Sequence, residues 1–218
     1  MITSMKVRLK PNNKQRSKLF QYAGTSRFAY NWALSKQQEN YKNGGKFLSD
    51  HTLRKRFTQL KQEDDYQWLY TVSNNVPKQA IKDACDAYQK FFNGKANYPK
   101  FKTKKGTMPS FYQDPLKIQC TATHVKVEGF AKNKRKNKQR LNWIRLVEKD
   151  RIPYRKGVKY VNSRLTFDGL YWWVSVGVIV YTCLEYPKNE GIGIDLGITN
   201  LGHYQPRALL GWHCLPEH

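Results

Sequence analysis

The chain has 218 residues and carries 39 Lys and Arg against 16 Asp and Glu, a formal net charge of +23. With 14% aromatic residues it is not a disordered basic tail, a class poor in rings. No apolar run reaches the roughly 18 residues of a membrane helix, and no long basic amphipathic helix points to a membrane surface. What remains is one or two globular domains facing a polyanion.

The charge is uneven. Residues 1–94 hold 17 basic and 7 acidic residues, residues 95–160 hold 19 and 4, and residues 161–218 hold 3 and 5. A solubility role would spread the charge, so the basic surface belongs to the first two-thirds. The four cysteines, Cys85, Cys120, Cys183 and Cys214, form no CxxC pair, which gives no zinc site. Met1 to Lys6 contains no signal-peptide core. A cytoplasmic, monomeric protein with reduced thiols is expected.

In chain order, Met5 to Lys10 alternates apolar and basic residues and stops at Pro11, a strand with one buried face that pairs with strands much later. Asn12 or Asn13 caps a helix to about Tyr22 that Gly24 ends. Ser26 caps a second helix, ending at Asn43-Gly44-Gly45, and Ser49 opens a third with Leu53, Phe57 and Leu60 on one face. Asn75 precedes the clearest helix, with Pro77 in its first turn, apolar positions from Ala80 to Phe92, and Gly94 past its end. The polar faces of these helices put forward Arg27, Asn31, Lys78, Gln79 and Lys82: amides can read base edges and lysines can hold phosphates. A solvated surface is the competing account.

Tyr98-Pro99-Lys100-Phe101-Lys102-Thr103-Lys104-Lys105 follows as an extended basic linker, since Pro99 disfavours helical geometry at Tyr98. Its lysines suit phosphate contact. Tyr98 and Phe101 can stack on unpaired bases or pin the linker to the core. From residue 111 onward the pattern is β. Strands are expected over 116–120, 124–127, 143–147, 160–167 and 170–181, with a hairpin at Asp168-Gly169. Trp172, Val174, Val176, Val178 and Val180 share one face. This spacing suggests a small barrel or sandwich. Between the strands, Lys132 to Arg140 holds six cations in nine residues, among them Lys134, Arg135, Lys136, Lys138 and Arg140; such a run self-repels and awaits a polyanion. Finally, Gly191-Ile192-Gly193-Ile194-Asp195-Leu196-Gly197 reads as a short buried strand ending on a carboxylate, suited to a hard cation such as Mg²⁺ or to a place near a nucleotide phosphate.

Taken together, the initial strand, Arg27-Phe28-x-Tyr30-Asn31-Trp32-x-Leu34, Tyr88-x-x-Phe91-Phe92, the Tyr98-Pro99-Lys100-Phe101-Lys102 linker, the β strands and Gly193-Ile194-Asp195-Leu196-Gly197 resemble, in order and spacing, the TnpB (OrfB) proteins of insertion sequences. The resemblance runs from about residue 5 to about residue 202. It implies an α+β fold: an oligonucleotide-binding, wedge-like β-barrel with a helical recognition domain inserted after its first strand, then a RuvC-like nuclease domain of RNase H fold. The expected boundaries are 1–10 and 95–187 for the barrel, 11–94 for the helical insertion and 188–218 for the start of RuvC. Family members bind a guide RNA from the transposon end and target DNA, and cut DNA with Mg²⁺. Asp195 matches the first RuvC aspartate, and Gln79 lies in the region implicated in contacting the DNA motif.

The departures matter too. Two-metal cleavage needs several carboxylates, and Glu217 is the only acid after Asp195. The family's CxxC zinc-ribbon pairs are absent. Residues 202–207 do not look like a second RuvC strand, because Pro206 would break a central one. A shortened family member that binds nucleic acid without cleaving is expected. A nuclease-dead, RNA-guided DNA-binding repressor is the alternative, and an Hsp70/actin-like ATP-binding fragment, suggested by residues 193–200, is a remote one.

Overall fold

The computed structural model describes residues 2–131, 140–155 and 157–179, and the backbone strands 193–195 and 203–205. Alternating residues make β1 (Ile2–Lys10) a strand whose Val7 and Leu9 are buried while Lys6 and Lys10 are exposed. It pairs antiparallel with β7 (Trp172–Ile179), Ile2 opposite Ile179 through Arg8 opposite Trp173. Past Arg8 it changes partner, setting Leu9 opposite Leu146 and Lys10 opposite Arg145 of β5 (Trp143–Leu146). The long-range pairing expected for this strand is thus present. With β2 (Ser110–Tyr112), β3 (Gln119–Cys120), β4 (His124–Lys126) and β6 (Lys159–Phe167), the strands form one sheet in the order β2-β6-β7-β1-β5-β4-β3.

The sheet is antiparallel and open, which corrects the expectation of a closed barrel. Its edges are strands of three and two residues, too short to zip to each other, and a helix packs on the face that carries its core. That helix is α1 (Asn13–Lys42). Asn12 and Gln15 form a reciprocal capping box (Gln15 N to Asn12 Oδ1 2.9 Å, Asn12 N to Gln15 Oε1 3.0 Å). The Gln15 Nε2 also donates to the Leu141 and Trp143 carbonyls at 3.1 and 2.8 Å, which locks the helix start to β5.

The helix is one piece of 30 residues, so Gly24 does not end a helix and Ser26 does not cap one. A mid-helix glycine costs about 1 kcal/mol against alanine, and packing on both sides outweighs this. Leu19, Tyr22 and Ala23 enter the sheet core with Val7, Phe111, Ile144, Leu165 and Trp172. Ala29, Tyr30, Ala33 and Leu34 enter a second core with Leu53, Phe57, Leu69, Ile81 and Tyr88. That second core is supplied by α2 (Asp50–Leu60), a 3-10 segment Asp64–Thr71 that the sequence pattern does not announce, and α3 (Asn75–Phe92). Ser49 caps α2 as expected, accepting from Thr52 N at 3.2 Å; Gly94, at φ +66°, ends α3.

Gly169, at φ +105°, makes the β6–β7 hairpin turn. Trp172, Val174, Val176 and Val178 are all buried on one face of β7; Val180 lies outside the described residues. The strand expected over 116–120 is reduced to β3, and β2 is an addition. Residues 182–218 form a separate compact unit. In it β8 (Gly193–Asp195) pairs antiparallel with β9 (His203–Gln205), Asp195 opposite His203. The segment after Leu201 thus supplies the short strand His203–Gln205, and Pro206 lies outside the described residues.

Two glycines separate the helix and sheet accounts. A Cβ at Gly24 would meet nothing within 4 Å, whereas one at Gly177 would lie 2.7 Å from Val161 Cγ2 and 3.0 Å from its carbonyl oxygen. Gly24→Ala should stabilise the fold by about 0.5–1 kcal/mol and Gly177→Ala should destabilise it by about 1–3 kcal/mol, both read by urea unfolding. Destabilisation by Gly24→Ala would contradict the continuous α1.

Candidate nucleic-acid interface

The α3 helix buries Val76, Pro77, Ala80, Ile81, Ala84, Cys85 and Tyr88, so the 3.6-residue period turns Lys78 and Lys82 outward together. The chain then doubles back. Tyr98 packs edge-on against Tyr88 and Phe91 at 5.6 and 5.2 Å. Its hydroxyl meets that of Tyr88 at 3.0 Å and accepts from Gln38 Nε2 at 3.2 Å. Four residues later the linker is fixed to α1: Asn31 Nδ2 donates to the Lys102 carbonyl at 2.9 Å, and Lys102 N donates to Asn31 Oδ1 at 2.8 Å. The Lys102 ammonium sits 3.8 Å from the centre of the Tyr30 ring.

A charged hub lies beneath. Arg164 of β6 donates to both oxygens of Asp83 at 3.1 and 2.8 Å, and Gln79 Nε2 donates to Asp83 Oδ1 at 2.9 Å. Burial pushes the Lys102 ammonium below its ordinary range, while the Asp83 carboxylate opposes the shift. Burial, then Asp83, pushes the Tyr30 phenol up. The Asp83 carboxylate thus ties α3 to β6, while Asn31 ties the linker to α1.

The residues singled out from sequence fall into three groups. Asn31, Gln79 and Lys102 are joined to the hub or its linker, their polar groups engaged within the protein. Lys78, Lys82, Lys100, Lys104 and Lys105 are exposed and pair with no carboxylate among the described residues. Phe101 is 47% exposed and contacts no other ring among the described residues, so of the two linker rings Tyr98 serves as the pin and Phe101 is the one left open. Arg27 is half-buried one turn before Asn31. Arg140 is exposed in the 3-10 turn before β5. Lys134, Arg135, Lys136 and Lys138 lie outside the described residues, and of Asp195 only the backbone pairing in β8 is described.

Sequence reasoning missed the outer face of the sheet. Opposite the buried side of β1, Lys6 lies 5.1 Å from the Trp173 ring centre and the Arg8 guanidinium 4.5 Å from that of Tyr171; Lys126 of β4 lies 5.8 Å from that of Trp143. The alternation of basic and apolar residues was legible, but the cross-strand pairing that interleaves cations with rings, diagonal for Lys6 and Arg8 and direct for Lys126, depends on register. Asp168 orders the turn below these rings. Its carboxylate accepts from Leu170 N at 2.8 Å, Tyr171 N at 2.6 Å and Trp173 Nε1 at 2.7 Å.

The α+β scaffold thus presents exposed lysines that pair with no carboxylate among the described residues and, on its sheet, cations interleaved with rings, groups chemically suited to phosphates and to stacking. Residues 1–46, which fold here as β1, α1 and the turn after it, match the helix-turn-helix domain model of the IS605-type OrfB proteins. Over 202 residues the chain is 25% identical to InsQ of Escherichia coli (strain K12), whose name assigns it provisionally as an RNA-guided DNA endonuclease. That match covers 92% of this chain and 46% of InsQ, so the chain spans about half the length of the curated relative it matches. In sequence the chain is thus similar to OrfB proteins of IS605-type insertion sequences over its first strand and helix, and to InsQ over most of its length. No helix among the described residues is long and apolar enough to cross a membrane.

Asn31→Ala removes both hydrogen bonds that hold the linker. It should speed amide exchange across residues 98–105 by about tenfold, the equivalent of about 1.4 kcal/mol of local opening, with β1 and β7 unchanged; unaltered exchange there would show that the linker is held elsewhere. The three donors lower the Asp168 pKa to about 2 from 3.8. A depressed carboxylate stabilises above its unfolded value and loses that contribution as pH falls through its folded value. NMR titration should therefore find the hairpin intact at pH 4, with the Trp173 indole N–H signal shifting only as pH falls towards 2.

Proposed function

We propose that this chain is a transposon-associated, TnpB-type nucleic-acid-binding protein that takes guide RNA and target DNA as partners. The observation that carries this reading is the set of exposed, uncompensated lysines, Lys78 and Lys82 on α3 and Lys100, Lys104 and Lys105 on a linker that is pinned to the same helical core. Fixed cations displace condensed counterions from phosphates, and the pinning removes the entropy cost of ordering the linker on binding. Sequence similarity to an RNA-guided endonuclease supports the choice of RNA and DNA among polyanions. The wedge-like oligonucleotide-binding role suits the sheet, and the recognition role suits α1 to α3. The strand ending on Asp195 is the proposed start of a RuvC-like domain.

We assign Asp195 as one ligand of a Mg²⁺ site. A hydrolytic site needs further carboxylates about the metal. Among the described residues no group of three or more His, Cys, Asp or Glu could hold a metal ion, so no cleavage step is assigned to them.

The test is a gel shift of transposon-end RNA with rising salt. Affinity should fall steeply, and substituting Lys100, Lys104 and Lys105 together by alanine should reduce the slope of log K against log salt by about 2–3. No shift at low salt would refute nucleic-acid binding, and an unchanged slope would exclude the linker lysines from the contact.

A further inference from the structure

Where β1 leaves β7 and joins β5, the outer face of the sheet opens into a cleft of about 310 Å³ lined by Arg8, Leu9, Lys10, Arg145, Leu146, Val147 and Tyr171. Its lining includes three cations and no acid. The register sharpens the charge problem. Lys10 stands directly opposite Arg145, and Arg145 directly opposite His124 on the far side, so three basic residues lie abreast across three strands. Like charges directly opposite one another destabilise a sheet. Glu148, three residues beyond Arg145, faces Arg151 instead, at 3.8 Å. Beside the cations stands a prepared ring: Tyr171 is 46% exposed, carries the Arg8 guanidinium at 4.5 Å, and is held from below by the Asp168 carboxylate.

We propose that this cleft seats one unpaired nucleotide of a single-stranded polynucleotide. The base extends the Arg8–Tyr171 stack beside Val147, the exposed apolar side chain of the lining. The flanking phosphates sit between Lys10 and Arg145, relieving their mutual repulsion. Anionic charge is required by the cations, and a flat unpaired base by the open face of the Tyr171 ring, since the bases of a duplex are already stacked on one another. The inference rests on the nucleic-acid-binding reading above but uses a different face of the molecule from the α3 lysines.

The experiment measures fluorescence anisotropy of the full chain with short mixed-sequence single-stranded RNA, single-stranded DNA and blunt duplex DNA. Tyr171→Ala should weaken single-strand binding about tenfold and leave duplex binding unchanged, while Tyr171→Phe, which keeps the ring, should bind like the parent. Arg145→Ala should lower the single-strand salt slope by about 0.7. The strand that loses more on Tyr171→Ala, RNA or DNA, identifies the occupant, and either supports the proposal. Parent-like single-strand binding by Tyr171→Ala, or an equal loss on duplex, overturns it. If the parent chain binds none of the three, the nucleic-acid reading fails and the cleft with it; if it binds and Tyr171 is indifferent, the cleft proposal alone falls.

Discussion

The structure depends on α1 being continuous. At about 1.5 Å per residue its 30 residues make a rod of about 45 Å that shares its faces between two cores. Its first half covers the core face of the sheet, with Tyr22 donating to the Glu128 carbonyl at 3.0 Å and Gln15 to the Trp143 carbonyl of β5 at 2.8 Å. Its second half is the floor on which α2 and α3 pack. Neither core is complete without it. Because α3 also reaches both, through Val76 at one end and Ile81 to Tyr88 at the other, the two cores are joined by paired helices rather than by a hinge.

The same construction sets the charge pattern. A sheet covered on one face by helices must send its alternate residues to water, and in β1 those residues are Lys6, Arg8 and Lys10. Two acids of the helical region are committed to nearby cations: Asp83 is bonded to Arg164 and Gln79, and Asp50 faces Arg54. Neither of these acids neutralises the exposed lysines of α3 and the linker, so an overall excess of basic residues becomes a local field there.

Much of this architecture was legible in the sequence where a local rule decides the matter. The alternation in β1, the Ser49 cap, the Pro77-to-Gly94 helix and the Asp168-Gly169 turn each follow from backbone chemistry within a few residues. What was not legible depended on partners far along the chain. Gly24 is compatible with a helix end and with a helix interior, and only packing on both sides of it, against residues as near as Leu53 and as far as Trp172, selects the interior. Closure of the sheet depended on edge strands too short to leave a pattern. At the candidate interface, sequence placed the right elements on the surface but could not tell an amide aimed at a base from one aimed inward. Asn31 and Gln79 look alike on a helical wheel to the exposed Lys78 and Lys82, yet both are held by protein partners. Arg164 carried no motif at all; its importance comes from meeting Asp83 across 81 positions.

The placement of β1 has a consequence for biosynthesis. The strand made first lies in the middle of the sheet, and its principal partner ends at Ile179. At about 5–20 residues per second, roughly 10–30 s separate the emergence of β1 from that of β7, and during that time its hydrogen-bonding groups and the row Met5, Val7, Leu9 are uncovered. The lysines and arginine that alternate with them give the nascent strand a charge at every second position, which discourages pairing with another copy on the same polysome. The residues that serve the finished surface thus also guard the unfinished one.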